Sequence, residues 1–285
     1  MMKISRPASG QTFGKIGDKM KIILSRKGFD SSNGGCPSPI LPDGTLLSLP
    51  IPTDDRDTYE DLSWKGVNYA DLLRQLRPGK AFSHCHVDPD LRPGLRSAAV
   101  EGWKPAFGQA GSAQGAMANA GVEKGDLILF FGWFRYVEQG QNGYRFARKC
   151  EDFFRCADLH VIYGYLQIGE ILTDPEEIAK YTWHPHASER FRNRPNALYL
   201  PAAYLSWNRK LPGYGTFPFR EDRVLTMKNE NRGTWMPKPF LMPEHVYGRR
   251  KNSAKENGLY YSGIWQELIL EESEGLLEWA ESVIT

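Results

Sequence analysis

Five of the six histidines sit in three short stretches: His84 and His86, then His160, then His184 and His186, while His245 stands apart. In an extended segment the two-residue period puts His84 and His86 on one face, and Asp88 follows on that face if the strand runs on. Two imidazoles and a carboxylate with a further histidine downstream are the ligand types of a divalent metal site. His86 and Asp88 are therefore the candidate metal ligands, completed by His160 or His186. The same residues also suit metal-free proton transfer, with Asp88 orienting His160 as an acid or base. Asp88-Pro89-Asp90 reads equally well as a turn with capping carboxylates, and His160 as a half-buried strand residue with its hydrogen bond satisfied.

His-x-Asp with a distant histidine resembles the facial triad of the two-oxoglutarate dioxygenases. Two features argue against that family. A helix expected at Ser112 to Ala120 interrupts the strands of a jelly roll, and no Arg or Lys within about two turns after His160 offers a grip for a cosubstrate carboxylate. A redox-inert ion such as zinc stays open, since a catalytic site needs three ligands and one free position.

Other segments carry groups suited to reading a substrate. Arg26 and Asp30 flank a turn-rich loop running to Gly34-Gly35, where backbone N–H groups can approach an anion. Gln109 and Gln114, in Gly108-Gln109-Ala110-Gly111-Ser112-Ala113-Gln114, place amides at a helix start. Trp133, in Phe131 to Tyr136, and the stretch from Trp183 to Arg194 interleave aromatics with Arg, a pattern that can stack a base beside phosphate contacts or simply fill a core. Arg249-Arg250-Lys251 with Lys255 reads as a solvated loop. Neither a phosphate-binding Gly-Lys-Ser/Thr loop nor a GxGxxG fingerprint is present.

The elements that must position these groups follow from periodicity. Strands are expected at 21–25, 82–87, 126–137, 159–172, 197–205 and 224–227, with hairpin turns at Pro42-Asp43-Gly44 and Gln141-Asn142-Gly143 and bends at Gly164 and Gly169. Helices are expected at 68–76, 112–120 and 175–181, the last capped by Asp174, and in two C-terminal segments, 263–270 and 274–283. The sum is an α+β fold on a mixed or barrel-like sheet, with short flanking helices and one domain over 20–285. Residues 1–19 read as an extension and Met20 as the natural start.

Composition bounds the function class. Lys and Arg total 36 against 34 Asp and Glu, a formal net charge of +2, so any grip on a phosphate backbone must be local. The four cysteines include no CxxC pair, which predicts reduced thiols, no disulfide framework and a cytoplasmic setting. The longest apolar run, 127–134, is far short of the roughly 18 residues of a membrane span.

Lys21 to Ser31, with Pro37-Ser38-Pro39-Ile40 and Leu49-Pro50-Ile51-Pro52, resembles the opening of the third nucleotide-modification-associated domain family. The resemblance continues through His86-Val87-Asp88-Pro89-Asp90, Gly108-Gln109 with Ala113-Gln114, Gly125-Asp126 to Arg135, His160 to Glu170 and His184-Pro185-His186. Where that pattern commonly has a His after Ala-Gln, this chain has Gly115-Ala116. The resemblance implies a nucleotide, nucleoside or DNA base as ligand, in a bacterial or phage setting. Separately, the order of Gly-Asp, a long apolar strand and 161–170 is similar to the small barrel of the PUA, ASCH and EVE modules, which bind RNA or modified bases.

These readings converge on an enzyme or accessory enzyme of nucleotide or DNA-base modification. Asp88, His160 and His186 are its candidate catalytic residues, and Arg26, Asp30, Gln109, Gln114 and Trp133 its substrate contacts. The alternative is a non-catalytic reader that holds a modified base by stacking; a third is an assembly protein whose polar clusters are capped turns.

Overall fold

Ile22–Arg26, a strand buried along almost its whole length, lies inside a nine-stranded mixed sheet. The computed structural model describes residues 20–148, 150–248, 254–255, 258–263 and 265–285. The readings of residues 1–19 as an extension and of Arg249-Arg250-Lys251 as a solvated loop lie outside them.

The sheet runs in the order Glu267–Leu270, Ile22–Arg26, Leu127–Gly140, Leu159–Leu172, Asn196–Pro201, Phe107–Ala110. Ile22–Arg26 pairs parallel to Leu127–Gly140, and the other neighbours along this path are antiparallel. Ser38–Ile40 and Gly143–Phe146 add to the Leu127–Gly140 strand, and Tyr214–Thr216 to the Leu159–Leu172 strand. The sheet curls into a half-barrel, giving an α+β fold.

Both faces are covered, which explains the continuous rather than alternating apolar runs. Leu24, Phe131, Leu268 and Trp235 pack on one side, together with the C-terminal helix Leu276–Ile284; Ile23, Ile128, Phe130 and Phe107 pack on the other. A third cluster surrounds the helix Tyr69–Leu76, whose buried Tyr69, Leu72, Leu73 and Leu76 follow the helical repeat. Asn68 caps that helix by accepting from the N–H groups of Ala70 and Asp71.

The two glycines expected to bend the long strand do so. Its register shifts between Ile162 and Gly164 against one neighbour and between Ile168 and Glu170 against the other. A Cβ on Gly164 would stand 2.9 Å from the Gly215 carbonyl oxygen, and one on Gly169 would stand 2.6 Å from that of Pro201.

Three expectations are corrected. Residues 224–227 form no strand, only isolated bridges from Val224 to Val161 and from Thr226 to Trp235, since each meets a different partner. Glu267–Leu270 is a strand, not part of a helix, because Ile22–Ser25 offers it a complete antiparallel partner. Cys150 and Cys156 form a disulfide, since Asp152 starts a short helical turn at Phe153–Cys156 that brings their Cα atoms to 5.9 Å. Cys36 and Cys85 are buried free thiols. No helix among the described residues is long and apolar enough to cross a membrane.

Candidate functional site

His86 closes the short strand His84–His86, which pairs antiparallel with Ile51–Thr58. His84 is exposed, so His86 alone of the two reaches inward. The chain then turns, the Asp88 N–H donating to the His86 carbonyl at 2.9 Å, and the Asp88–Pro89 peptide is cis. Asp90 anchors the turn from below: its backbone exchanges two hydrogen bonds with Ala106, and its carboxylate accepts from Arg96 at 2.6 Å and from the Trp103 indole at 3.0 Å. Arg96 also forks onto Asp57 at 2.8 and 2.7 Å, tying the turn to the strand that supports His86.

His186 arrives from a 3-10 turn, Pro185–Ala187, capped by His184, whose Nδ1 accepts from the His186 N–H at 3.2 Å. Three ligand-type atoms, one each from His86, Asp88 and His186, thus lie within 4.8 Å of one another. His160 is not among them. The third histidine is the one fixed by proline, because the turn folds back over the Phe107–Ala110 strand.

Hydrogen bonds around the cluster set its tautomers. The Asn196 amide donates from Nδ2 to the His186 carbonyl at 3.0 Å, which turns its Oδ1 to the His186 Nδ1 at 2.7 Å. That ring nitrogen must then carry the proton, leaving the Nε2 lone pair free. His86 Nδ1 lies 2.7 Å from an Asp55 carboxylate oxygen, which also accepts from Arg190 at 2.6 Å. Burial favours the neutral acid at Asp55, but the bonds from His86 and Thr53 and the charge of Arg190 hold its carboxyl below the ordinary range. His86 therefore also donates from Nδ1 and keeps a lone pair on Nε2. An outer carboxylate or amide fixing each imidazole is the usual support of a metal-binding histidine.

Asp88 is buried, and burial alone would push its carboxyl up. The Lys27 ammonium at 3.3 Å, with His184 and His186, outweighs this and holds it far below the usual carboxylate range. Its Oδ1 accepts from the Gly108 N–H at 2.6 Å and faces His184 Nε2 at 3.5 Å. Burial drives the His186 imidazole down to about 3, so the ring is neutral and ready to ligate at neutral pH. It stacks on Phe191, ring centroids 4.3 Å apart. Gly108 is required here: a Cβ there would lie 2.2 Å from His186 Cδ2.

The triad opens on a cavity of about 440 Å³. Arg26, Lys27, Arg190 and Arg194 line it against Asp30 and Asp88, so cations predominate in the wall. Arg26 and Asp30 pair across the rim at 2.8 Å. Gln109 also lines the cavity, but its amide is engaged by Glu267 and by the Ala110 N–H. Burial raises the Glu267 carboxyl, which Ser25, Gln109 and, at 3.9 Å, Lys27 partly offset.

The remaining candidates lie elsewhere. His160 and Trp133 line a neighbouring cavity of about 760 Å³. His160 Nδ1 accepts from the Trp235 indole at 2.9 Å, and burial, then Arg232 and Arg26, hold its pKa well down. Asp88 is not its partner. Gln114 is buried and accepts from the Tyr199 hydroxyl at 2.8 Å.

Sequence reasoning misses Asp55, Asn196 and Glu267, whereas Arg190 and Arg194 fall in the Trp183 to Arg194 stretch of aromatics interleaved with Arg, without being singled out. Lys27 lay inside the quoted opening segment without being singled out. No short-range pattern marks Asp55, Asn196 and Glu267, because each meets the site from a separate element.

Residues 21–271 of the 285 match the family described as nucleotide modification associated domain 3. No curated protein and no solved structure matches the chain. The matched span includes each ligand-type residue of the triad and the Glu267–Leu270 strand behind it, and on that extent the chain belongs to the nucleotide modification associated domain 3 family.

Proposed function

We propose that this protein is an enzyme of nucleotide or nucleobase modification, working at a divalent metal held by His86, Asp88 and His186. The observation that carries the reading is the pair of outer hydrogen bonds, Asp55 to His86 and Asn196 to His186, which leave both Nε2 lone pairs for an ion beside the Asp88 carboxylate. Three protein ligands leave positions for water and substrate, and a metal there would supply Lewis acidity toward an oxygen in the cavity.

The chain's own residues do the rest. Lys27, Arg190 and Arg194 give the wall positive charge for a phosphate, while Arg26 and Asp30 present a donor and an acceptor at the rim. Phe191 closes one side and keeps the His186 ring from rotating. Glu267 and Ser25 hold the floor on which Lys27 rests, and Lys27 lies over the Phe107 ring at 4.4 Å.

The test is elemental analysis and calorimetric titration with zinc, iron(II) and manganese, on the wild-type chain and on His86→Ala and His186→Ala. One equivalent in the wild type, lost in both variants, is expected. Less than a tenth of an equivalent in the metal-loaded wild type, or unchanged binding in both variants, overturns the reading. A non-catalytic reader would instead bind a modified oligonucleotide stoichiometrically and release it unaltered, with or without metal.

A further inference from the structure

The cavity beside the triad is larger than the triad's own, about 760 against about 440 Å³, and each falls in the range of about 300 to 1,000 Å³ typical of ligand pockets. The two share Arg26 and Asp30, so that ion pair forms a ridge between adjoining hollows.

The chemistry of the second hollow differs from that of the first. The Arg232 guanidinium carbon lies over the Trp133 indole, 3.9 Å from the ring centroid, and its Nη2 donates to Ser31 Oγ at 3.2 Å. Arg232 forms no ion pair among the described residues, so this platform offers a guanidinium plane on which a π-system can stack. The Trp133 indole N–H is buried without a hydrogen-bond partner. His160 Nδ1 accepts from Trp235, which puts the proton of the neutral ring on Nε2 and makes that edge a donor. Tyr260 lines the same hollow and is 39% exposed; Trp265, next to Gln266 of the first cavity, is 48% exposed.

Cations line the first hollow, and among the described residues Arg194 forms no ion pair there. In the second, Arg26 and Arg232 stand against Asp30, Asp158 and Glu230, so its wall does not favour a free phosphate. Aromatic planes, one orphaned donor at Trp133, the His160 Nε2 edge and a ridge leading to a cationic neighbour suit a base connected through its backbone to the nucleotide next door.

We propose that the Trp133 hollow is a second nucleobase subsite, and that the substrate is single-stranded nucleic acid whose backbone crosses the Arg26–Asp30 ridge. The inference rests on reading the first cavity as a nucleotide site. It goes further by assigning a strand of at least two nucleotides in place of a mononucleotide.

The experiment is fluorescence anisotropy with a labelled eight-nucleotide single strand, in DNA and RNA form, competed by unlabelled mononucleotide, dinucleotide and octanucleotide. Dinucleotide and octanucleotide are expected to compete at least about tenfold better than mononucleotide. Trp133→Ala and Arg232→Gln should each weaken octanucleotide binding between about fivefold and a hundredfold, the span of one lost base stack, with mononucleotide competition unchanged. Arg232→Gln, at a partly exposed position, guards against a folding defect in Trp133→Ala.

Mononucleotide competing as well as the octanucleotide, an undiminished length preference in both variants, or no binding of any probe overturns the proposal. Metal content is measured on the same samples. Metal without length preference refutes the second subsite alone, and length preference without metal refutes the metal centre alone.

Discussion

Replacing Gly108 by Ala adds one methyl group at the most confined point of the site. That Cβ would stand 2.2 Å from His186 Cδ2, 2.3 Å from Cγ and 2.8 Å from Nε2. Ordinary contact begins near 3.4 Å, so the imidazole must retreat by about 1.2 Å or the strand must move instead. The ring has little room, stacked on Phe191 at 4.3 Å and bonded to Asn196 at 2.7 Å. If the strand moves, the Gly108 N–H leaves Asp88, to which it donates at 2.6 Å. Either route displaces a proposed ligand by more than the roughly 0.2 Å tolerance of a metal–ligand distance. Gly108 does not have positive φ, so the backbone itself adds no strain. The expected outcome is a fall of about a hundredfold or more in metal affinity. Stability should drop by about 1 to 3 kcal/mol, typical of overpacking. Calorimetric titration with zinc measures the first, and chemical denaturation of the metal-free protein the second. Wild-type metal affinity in Gly108→Ala would refute the placement of His186 as a ligand.

Asn196→Ala and Asp55→Asn should each lower metal affinity about 10- to 100-fold by releasing one ring, as measured by competition with a chromogenic chelator; unchanged affinity would contradict the tautomer assignment. The metal-free protein should lose stability as pH falls below about 6.5. The His186 imidazole is held down to about 3, so the unfolded chain binds its proton first; by pH 5 this costs about 2 kcal/mol, and His160 acts in the same direction. Asp88, depressed in the fold, adds its own loss below about pH 4. Urea titrations at pH 7 and pH 5 that gave equal stabilities would refute this, and His160→Gln should flatten the slope.

Local chemistry explains which parts of the molecule can be read from its letters. Asp174 before Pro175-Glu176 marks a helix start by a bond spanning two residues, and the structure has it, the Glu176 N–H donating to the Asp174 carboxylate. Gly164 and Gly169 mark the bulges because their neighbours leave no room for a Cβ. Glu267–Leu270 misleads for the opposite reason: its apolar run fits either period, and its partner lies more than two hundred residues earlier. His86, Asp88 and His186 were visible as residue types, yet only the fold decides between His160 and His186. His160 faces Trp133 across the sheet and is taken up by Trp235, whereas His186 is brought in by the turn that Pro185 begins. Asp55 meets His86 from the partner strand and Asn196 meets His186 from a strand ten residues on, and contacts of that kind leave no periodic trace.

The pairing of Ser25 with Glu267 joins the first strand to the last across a separation of 242 residues, and Lys27 rests beside that same carboxylate. A ribosome delivers Lys27 early and Glu267 late, so the nascent polypeptide holds an ammonium for Asp88 well before the floor beneath it exists. The Ile22–Arg26 strand must wait with one edge bare through most of synthesis, a period in which another chain could pair with it. Maturation of the pocket is thereby tied to completion of translation: a product cut short before residue 267 would carry all three triad side chains and still lack the ground on which Lys27 stands.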